Sequence, residues 1–128
     1  MSVNWKGVIP AITTPFDADL GVDHAFLAEH GQWMVDHGCV GLVALGSLGE
    51  AATLSLSEKG AVLETLVRAV GDRVPVLPGI SALGTAEAVA LARAAAKIFE
   101  EVLRIDPQNP RAREALERFR SGRRPAPR

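Results

Sequence analysis

The sequence predicts an α/β fold built on a short parallel sheet, and two observations predict it. Three brief apolar runs, Gly7 to Pro15, Leu42 to Leu45 and Val74 to Ile80, have the length and composition of strands. Each is followed by a stretch with helical spacing that opens on a capping residue. Strands and helices alternating in this way form right-handed βαβ units, because parallel neighbours need a crossover connection.

In the first run, Gly-Val-Ile-Pro-Ala-Ile-Thr-Thr-Pro, the prolines suit an edge position or a strand end, since proline cannot donate to a ladder. Asp17 to Gly21 reads as a turn. Asp23 is the N-cap of a helix that places Phe26, Leu27, His30, Met34 and His37 near one face and ends at Gly38. Leu42, Val43, Ala44 and Leu45 form the second strand, with no polar residue on either face, as in a parallel sheet covered by helices. Ser55 and Glu58 have the spacing of a capping box, so a second helix begins near Leu56. It carries Val62, Leu63, Leu66, Val67 and Val70 to a stop at Gly71. Val-Pro-Val-Leu-Pro-Gly-Ile, from Val74, is a third strand, and Thr85 caps a third, alanine-rich helix from Ala86 onward.

After Ala96 the pattern changes. Met1 to Ala96 carries 5 Lys and Arg against 10 Asp and Glu, whereas Lys97 to Arg128 carries 9 against 5. Lys97 to Arg104 continues the third helix where another strand is due, and Asp106-Pro107 ends it because the residue before proline leaves the helical region. Asn109 caps a last helix with Pro110 at its first position, running through Ala112, Ala115, Leu116 and Phe119 towards Gly122. Arg123 to Arg128 has nothing to bury and is expected to be a mobile tail. The chain therefore divides into residues 1–96, a helical hairpin over 97–122, and the tail 123–128.

With 128 residues, 48% hydrophobic and 23% charged, the chain suits one globular domain. A net charge of -1 implies no general attraction to nucleic acid or to a membrane surface. The tail's arginines lack the interleaved aromatics of a nucleic-acid platform. One cysteine, Cys39, excludes an internal disulfide, and no apolar run approaches the ~20 residues of a membrane span. A cytoplasmic protein without cofactor is expected. His24, His30 and His37 lack the i, i+4 spacing of a zinc motif, so no metal site is expected either.

The candidate site is Gly46-Ser-Leu-Gly-Glu50, where the second strand stops in a turn bracketed by glycines. Gly46 and Gly49 permit backbone angles closed to other residues, so that the N–H groups of Ser47 and Leu48 converge on a small anion such as a carboxylate. The plainer alternative is a tight strand-to-helix turn with no ligand. Glu50 is an acid or base, or a residue that satisfies N–H groups of the turn.

Residues Trp5 to about Ala96 resemble the N-terminal third of the dihydrodipicolinate synthase and N-acetylneuraminate lyase family, pyruvate-dependent class I aldolases built on a (β/α)8 barrel. The resemblance rests on Gly7-Val-Ile-Pro-Ala-Ile-Thr-Thr-Pro-Phe16, on Gly46-Ser-Leu-Gly-Glu50 followed by Ala51-Ala-Thr-Leu-Ser55, and on Val74-Pro-Val-Leu-Pro-Gly79. It implies a partial barrel of about three parallel βα units with a C-terminal α-helical hairpin. It also implies that Gly46, Ser47, Leu48 and Gly49 hold the carboxylate of pyruvate or another 2-oxo acid. Many members have a second hydroxyl residue where this chain has Leu48, which removes a side-chain donor and leaves the N–H.

The family's chemistry needs a lysine at a strand end, desolvated enough to attack a keto carbon. This chain has Lys6, Lys59 and Lys97 only, the first ahead of the first strand and the other two on helices, and it contains no tyrosine for the family's proton relay. No catalytic residue is therefore assigned. Phe99 to Ala112, with Leu-Arg-Ile-Asp-Pro-Gln-Asn-Pro at its centre, resembles the junction between tetratricopeptide repeats, but covers less than one repeat of an array that needs about three. Three roles compete: a truncated lyase that binds without converting, an interaction or scaffold module acting through the hairpin, and a fragment that completes a barrel with another chain. Open sheet edges predict self-association.

Overall fold

The computed structural model of the chain describes residues 5–105, 107–109, 112–114 and 116–117. Three helices, α1 (His24–Asp36), α2 (Leu56–Val70) and α3 (Thr85–Ile105), alternate with two short strands, β1 (Leu42–Ala44) and β2 (Val76–Pro78). The strands pair in parallel with Leu42 opposite Val76 and Ala44 opposite Pro78. The first apolar run joins the other side of β1 through isolated parallel bridges, Val8 to Cys39 and Ala11 to Val43, instead of a continuous ladder. Pro10 is the reason: it accepts from the Val43 N–H at 2.8 Å but has no N–H to return, and Ile12 N resumes the pairing with Val43 O at 2.9 Å.

Asp23 caps α1, its carboxylate accepting from Phe26 N at 2.9 Å. The face that α1 buries differs from expectation. Leu27 and Gly31 are buried, with Met34 and Val35 packed partly against the core, while Phe26 and His37 face solvent. Gly31 decides this, because even a Cβ there meets Leu66 Cδ2 at 3.1 Å and Leu42 Cδ1 at 3.5 Å, so α1 lies unusually close to α2 along that line. Phe26, His30, Trp33 and His37 instead form a ladder of stacked rings along the outer side, with centroids 5.8, 6.4 and 4.2 Å apart.

The second helix is the spine of the core. Val62, Leu63, Leu66, Val67 and Val70 are all buried, as the helical period requires. Its capping box forms in full: Glu58 N donates to Ser55 Oγ at 3.3 Å, and Ser55 N donates to Glu58 Oε2 at 2.7 Å. The Ser55 hydroxyl also donates to Glu58 Oε2 at 2.6 Å. α3 starts one residue earlier than expected, at Thr85, leaving Gly84 as the cap whose carbonyl accepts from Ala88 N at 3.1 Å. It runs unbroken through Ala96 to Ile105. Beyond it Asn109 caps a further helical segment, its Oδ1 accepting from Ala112 N at 3.0 Å. Ala112 and Leu116 are 1% and 6% exposed, so this segment is packed against the chain itself. The expectations for Asp106, Pro110, Ala115, Phe119, Gly122 and the tail 123–128 fall outside the described residues. Among the described residues no helix is long and apolar enough to cross a membrane.

Two predictions follow from this packing. At Gly79 a Cβ would lie 2.3 Å from Leu45 O and 2.7 Å from Leu45 C, both backbone atoms that cannot swing aside. Gly79→Ala is expected to lower unfolding free energy by at least about 2 kcal/mol in urea titration. The Ser55 hydroxyl and then the Ser55 N–H hold the Glu58 carboxyl below its ordinary value. A depressed carboxyl contributes stability that is present above its unfolded pKa and lost as pH falls through the folded one. An NMR titration should therefore place the Glu58 midpoint below that of free glutamate. Ser55→Ala should raise the midpoint and cost about 1 kcal/mol at neutral pH through loss of the N-cap.

Candidate functional site

β1 delivers the site. Its last residue, Ala44, is followed by Leu45, which is buried and holds φ 60, a left-handed conformation rare for a bulky side chain. Residues Ser47–Gly49 then make one 3-10 turn, closed by Glu50 at φ 51. The expectation that Gly46 and Gly49 carry the unusual backbone angles is thus corrected. Gly46 sits in ordinary extended conformation, φ -78 and ψ -174, with open space around its missing Cβ. Leu45 and Glu50 bear the left-handed angles on either side. Gly49 is needed for proximity: a Cβ there would meet Ile12 O at 3.2 Å and Thr14 Oγ1 at 3.4 Å.

The first apolar run secures the turn from beneath. Thr14 is buried, and its hydroxyl donates to Gly49 O at 2.8 Å. Within the turn Gly49 N donates to Gly46 O at 3.1 Å and Glu50 N to Ser47 O at 3.2 Å. The N–H groups of Ser47 and Leu48, and the Ser47 hydroxyl, donate to nothing among the described residues. Ser47 and Leu48 are both exposed, so these donors face outward.

Beside the turn lies a cavity of about 500 Å³ between β1, the start of α2 and the start of α3, lined by Leu45, Gly46, Ser47, Lys59, Leu83 and Glu87 among others. Leu48 and Gly49 are not part of its wall; the structure brings Gly46 and Ser47 to it, with Glu50 beside them. Lys59 departs from the expectation that the lysines stand apart from the turn. It is on a helix, as expected, but in the first turn of α2, where side chains lean back towards the N-terminus and so over the preceding turn. It is 6% exposed, and its ammonium lies 3.8 Å from Glu87 Oε1. Lys6 and Lys97 are exposed and do not line the cavity. The spacing carried a signal for Lys59: it stands three and four residues before Val62 and Leu63, on the same buried face of α2.

Among the described residues no group of three or more His, Cys, Asp or Glu is placed to hold a metal ion. His24 instead bonds Thr65, Nδ1 to Oγ1 at 2.8 Å, tying α1 to α2.

The sequence profile of the Dihydrodipicolinate synthetase family matches residues 4–108. The chain belongs to that family. A 4-hydroxy-tetrahydrodipicolinate synthase from Neisseria meningitidis is 41% identical over 92 residues, which is 72% of this chain and 32% of the relative. A dihydrodipicolinate synthase from Bacillus anthracis superposes with a TM-score of 0.73 at 29% identity, over 76% of this chain and 33% of that one. A chloride-inhibited dihydrodipicolinate synthase from Acinetobacter baumannii, solved with pyruvate, gives 0.69 at 38% identity, over 72% and 32%. The chain thus spans about a third of the length of the family members it matches. Its α/β architecture with parallel strands is shared with these relatives over that third.

The bond from Thr14 to Gly49 yields a test of how the turn is held. Thr14→Val keeps the shape and removes the donor, leaving a buried carbonyl unpaired, at a cost of about 1–3 kcal/mol. Chemical unfolding should register that loss, and amide resonances from Gly46 to Glu50 should broaden or shift while those of α2 beyond Val62 stay in place.

Proposed function

We propose that this chain is a truncated pyruvate-dependent class I aldolase, the first third of a (β/α)8 barrel, which binds the carboxylate of a 2-oxo acid at Gly46–Gly49 and does not convert it alone. What supports this is the set of unpaired donors on the exposed side of the turn, the N–H groups of Ser47 and Leu48 and the hydroxyl of Ser47, with Ser47 also bordering a cavity large enough for a small acid. The Acinetobacter relative is a complex with pyruvate, which favours the same class of ligand here.

Conversion needs more than this grip. A neutral amine must reach the keto carbon at about 3–3.5 Å, and a proton carrier must serve the carbinolamine that forms. Lys59 is the lysine beside the cavity, and it is engaged as an ammonium by Glu87. The chain has no tyrosine. Binding a substrate without stabilising its transition state accelerates nothing. Incubation with pyruvate and sodium borohydride should therefore leave the intact mass unchanged, and a trapped adduct on any lysine would overturn the claim of inactivity. In the same buffer, pyruvate should shift the amide signals of Ser47 and Leu48, and Ser47→Ala should weaken that binding several-fold.

A second role, completion of a barrel with other chains, is favoured by one observation. The sheet of residues 8–12, β1 and β2 is flanked on each side by backbone with no further strand among the described residues. Open edges recruit strands. Size-exclusion chromatography with light scattering should give a dimer or larger species, whereas a monomer at high concentration would sink self-association. An interaction module acting through the C-terminal hairpin has less support, because Ala112 and Leu116 are already spent on this chain's own interior.

A further inference from the structure

We infer that the ring ladder on the outer side of α1 is a docking surface, and that its occupant is the arginine-rich segment 118–128 of this same chain. None of the ladder's residues lines the cavity beside the turn after β1, so the inference stands apart from the carboxylate reading.

The ladder is a built feature. Phe26, His30, Trp33 and His37 follow one another at helical steps, so one side of α1 carries them all. The ring planes of successive pairs are inclined by only 15°, 8° and 27°. His37 Nδ1 donates to Trp33 O at 2.7 Å, which lays the imidazole over the indole and fixes that end of the ladder. Yet the rings are not spent on the core. α1 turns Gly31 towards Leu66 and Leu42 and buries Leu27, while Phe26 and Trp33 stay 53% and 55% exposed. Two large aromatic side chains held in register and left half in water make a platform for a flat partner.

Charge selects the partner. An aromatic face attracts cations, and guanidinium above all, because it is planar and weakly hydrated. α1 contains Glu29 and Asp36 and no Lys or Arg. Asp36 is engaged by Arg73 at 2.6 Å, whereas Glu29 has no ion-pair partner among the described residues. Residues 118–128 supply the complement, with Arg118, Arg120, Arg123, Arg124 and Arg128 and not one Asp or Glu. Beyond Phe119 the segment has no aromatic ring of its own for them to stack on. Reach permits the contact. Leu116 is buried and Glu117 is exposed, so the segment sets out from the surface. It spans at most ~40 Å when extended, against a radius of gyration of ~14 Å for a globular chain of this length. A second copy offers the same arginines, but within one molecule their effective concentration is on the order of millimolar.

The test labels the full chain. A nitroxide on Ala126→Cys, with Cys39→Ser removing the native thiol, should broaden the NMR signals of Phe26, His30 and Trp33 more than those of Val89 and Arg93, which are exposed on α3. Salt at about 0.5 M should abolish that difference, because the Debye length falls below ~5 Å. Phe26→Leu with Trp33→Leu keeps the face apolar but removes its rings, and should cut the broadening about threefold. If that variant does not fold by circular dichroism, Arg118→Gln, Arg120→Gln, Arg123→Gln, Arg124→Gln and Arg128→Gln together leave α1 intact. The Trp33 indole N–H signal should then move to where high salt puts it in the wild type. Broadening that is equal on α1 and α3, or that survives loss of the rings, overturns the inference, as does an indole signal that ignores loss of the arginines. Broadening seen only between labelled and isotope-enriched molecules in a mixed sample hands the face to a second copy and overturns it equally.

Discussion

The geometry of the site depends on one buried hydrogen bond, from the Thr14 hydroxyl to the Gly49 carbonyl. It joins the first parallel segment to the turn after β1 across 35 residues of sequence, and it does so inside the core, where leaving either group unpaired is costly. The turn needs such an anchor. Leu45 and Glu50 hold left-handed backbone angles that neither residue prefers, and such strain persists only where surrounding contacts over-determine it. Leu45 is pinned by full burial and by Gly79, whose N–H bonds Ala44 O at 2.7 Å. Glu50 follows Gly49, where a Cβ would press on Ile12 O at 3.2 Å and on Thr14 Oγ1 at 3.4 Å. The outcome is a turn in which the carbonyls of Gly46, Ser47 and Gly49 are paired and the N–H groups of Ser47 and Leu48 are not, and that imbalance is what an anion would answer.

The helix that follows converts this local feature into a pocket. The capping box fixes where α2 begins, and the start of α2 fixes which residues share its buried face. Val62, Leu66 and Val70 face the core beneath β1, and the same stripe, continued one turn back, reaches Lys59. An apolar residue at that place would simply cap the core. A lysine there carries its charge along an apolar stem to the edge of the turn, with the head at the cavity.

Much of this is legible in the sequence where a local rule decides. Asp23, Ser55 with Glu58, and Asn109 are caps that need only their neighbours, and each forms its bond. The apolar period of α2 is likewise self-contained. The sequence is less legible where tertiary proximity decides. Nothing local says that Leu45, and not the neighbouring Gly46, takes the left-handed angle, because that depends on where Gly79 and β2 arrive. Nothing in the period of α1 separates Phe26 and His37, outside, from Leu27 and Gly31, inside, until the close approach at Gly31 picks the contact line. Lys59 lies between these cases: its place on the buried stripe is written in the spacing, but the cavity it borders requires α3 and its Glu87.

The described residues supply from within part of the cover that flanking elements give in a closed barrel. In a closed barrel each helix is flanked by two others and each strand by two more, so that no edge is exposed. Here α3 runs on past the point where another strand is due. Val102, Ala112 and Leu116 are buried, Val102 and Ala112 within the same cluster as Leu42 and Val76. Covering apolar area and closing a sheet are separate requirements, however. Helices meet the first through non-directional burial, whereas unpaired strand edges ask for directional partners that no helix supplies. On the proposed reading binding at the turn needs only the first, since it uses β1, the base of α2 and the segment carrying Thr14. On the proposed reading turnover needs the second, because the reactive amine and the proton carrier of these aldolases stand on strands that only a longer barrel contains. On that reading the segment carrying Thr14, β1 and the base of α2 would supply the grip on a carboxylate, and the reacting groups would stand on strands further round a barrel.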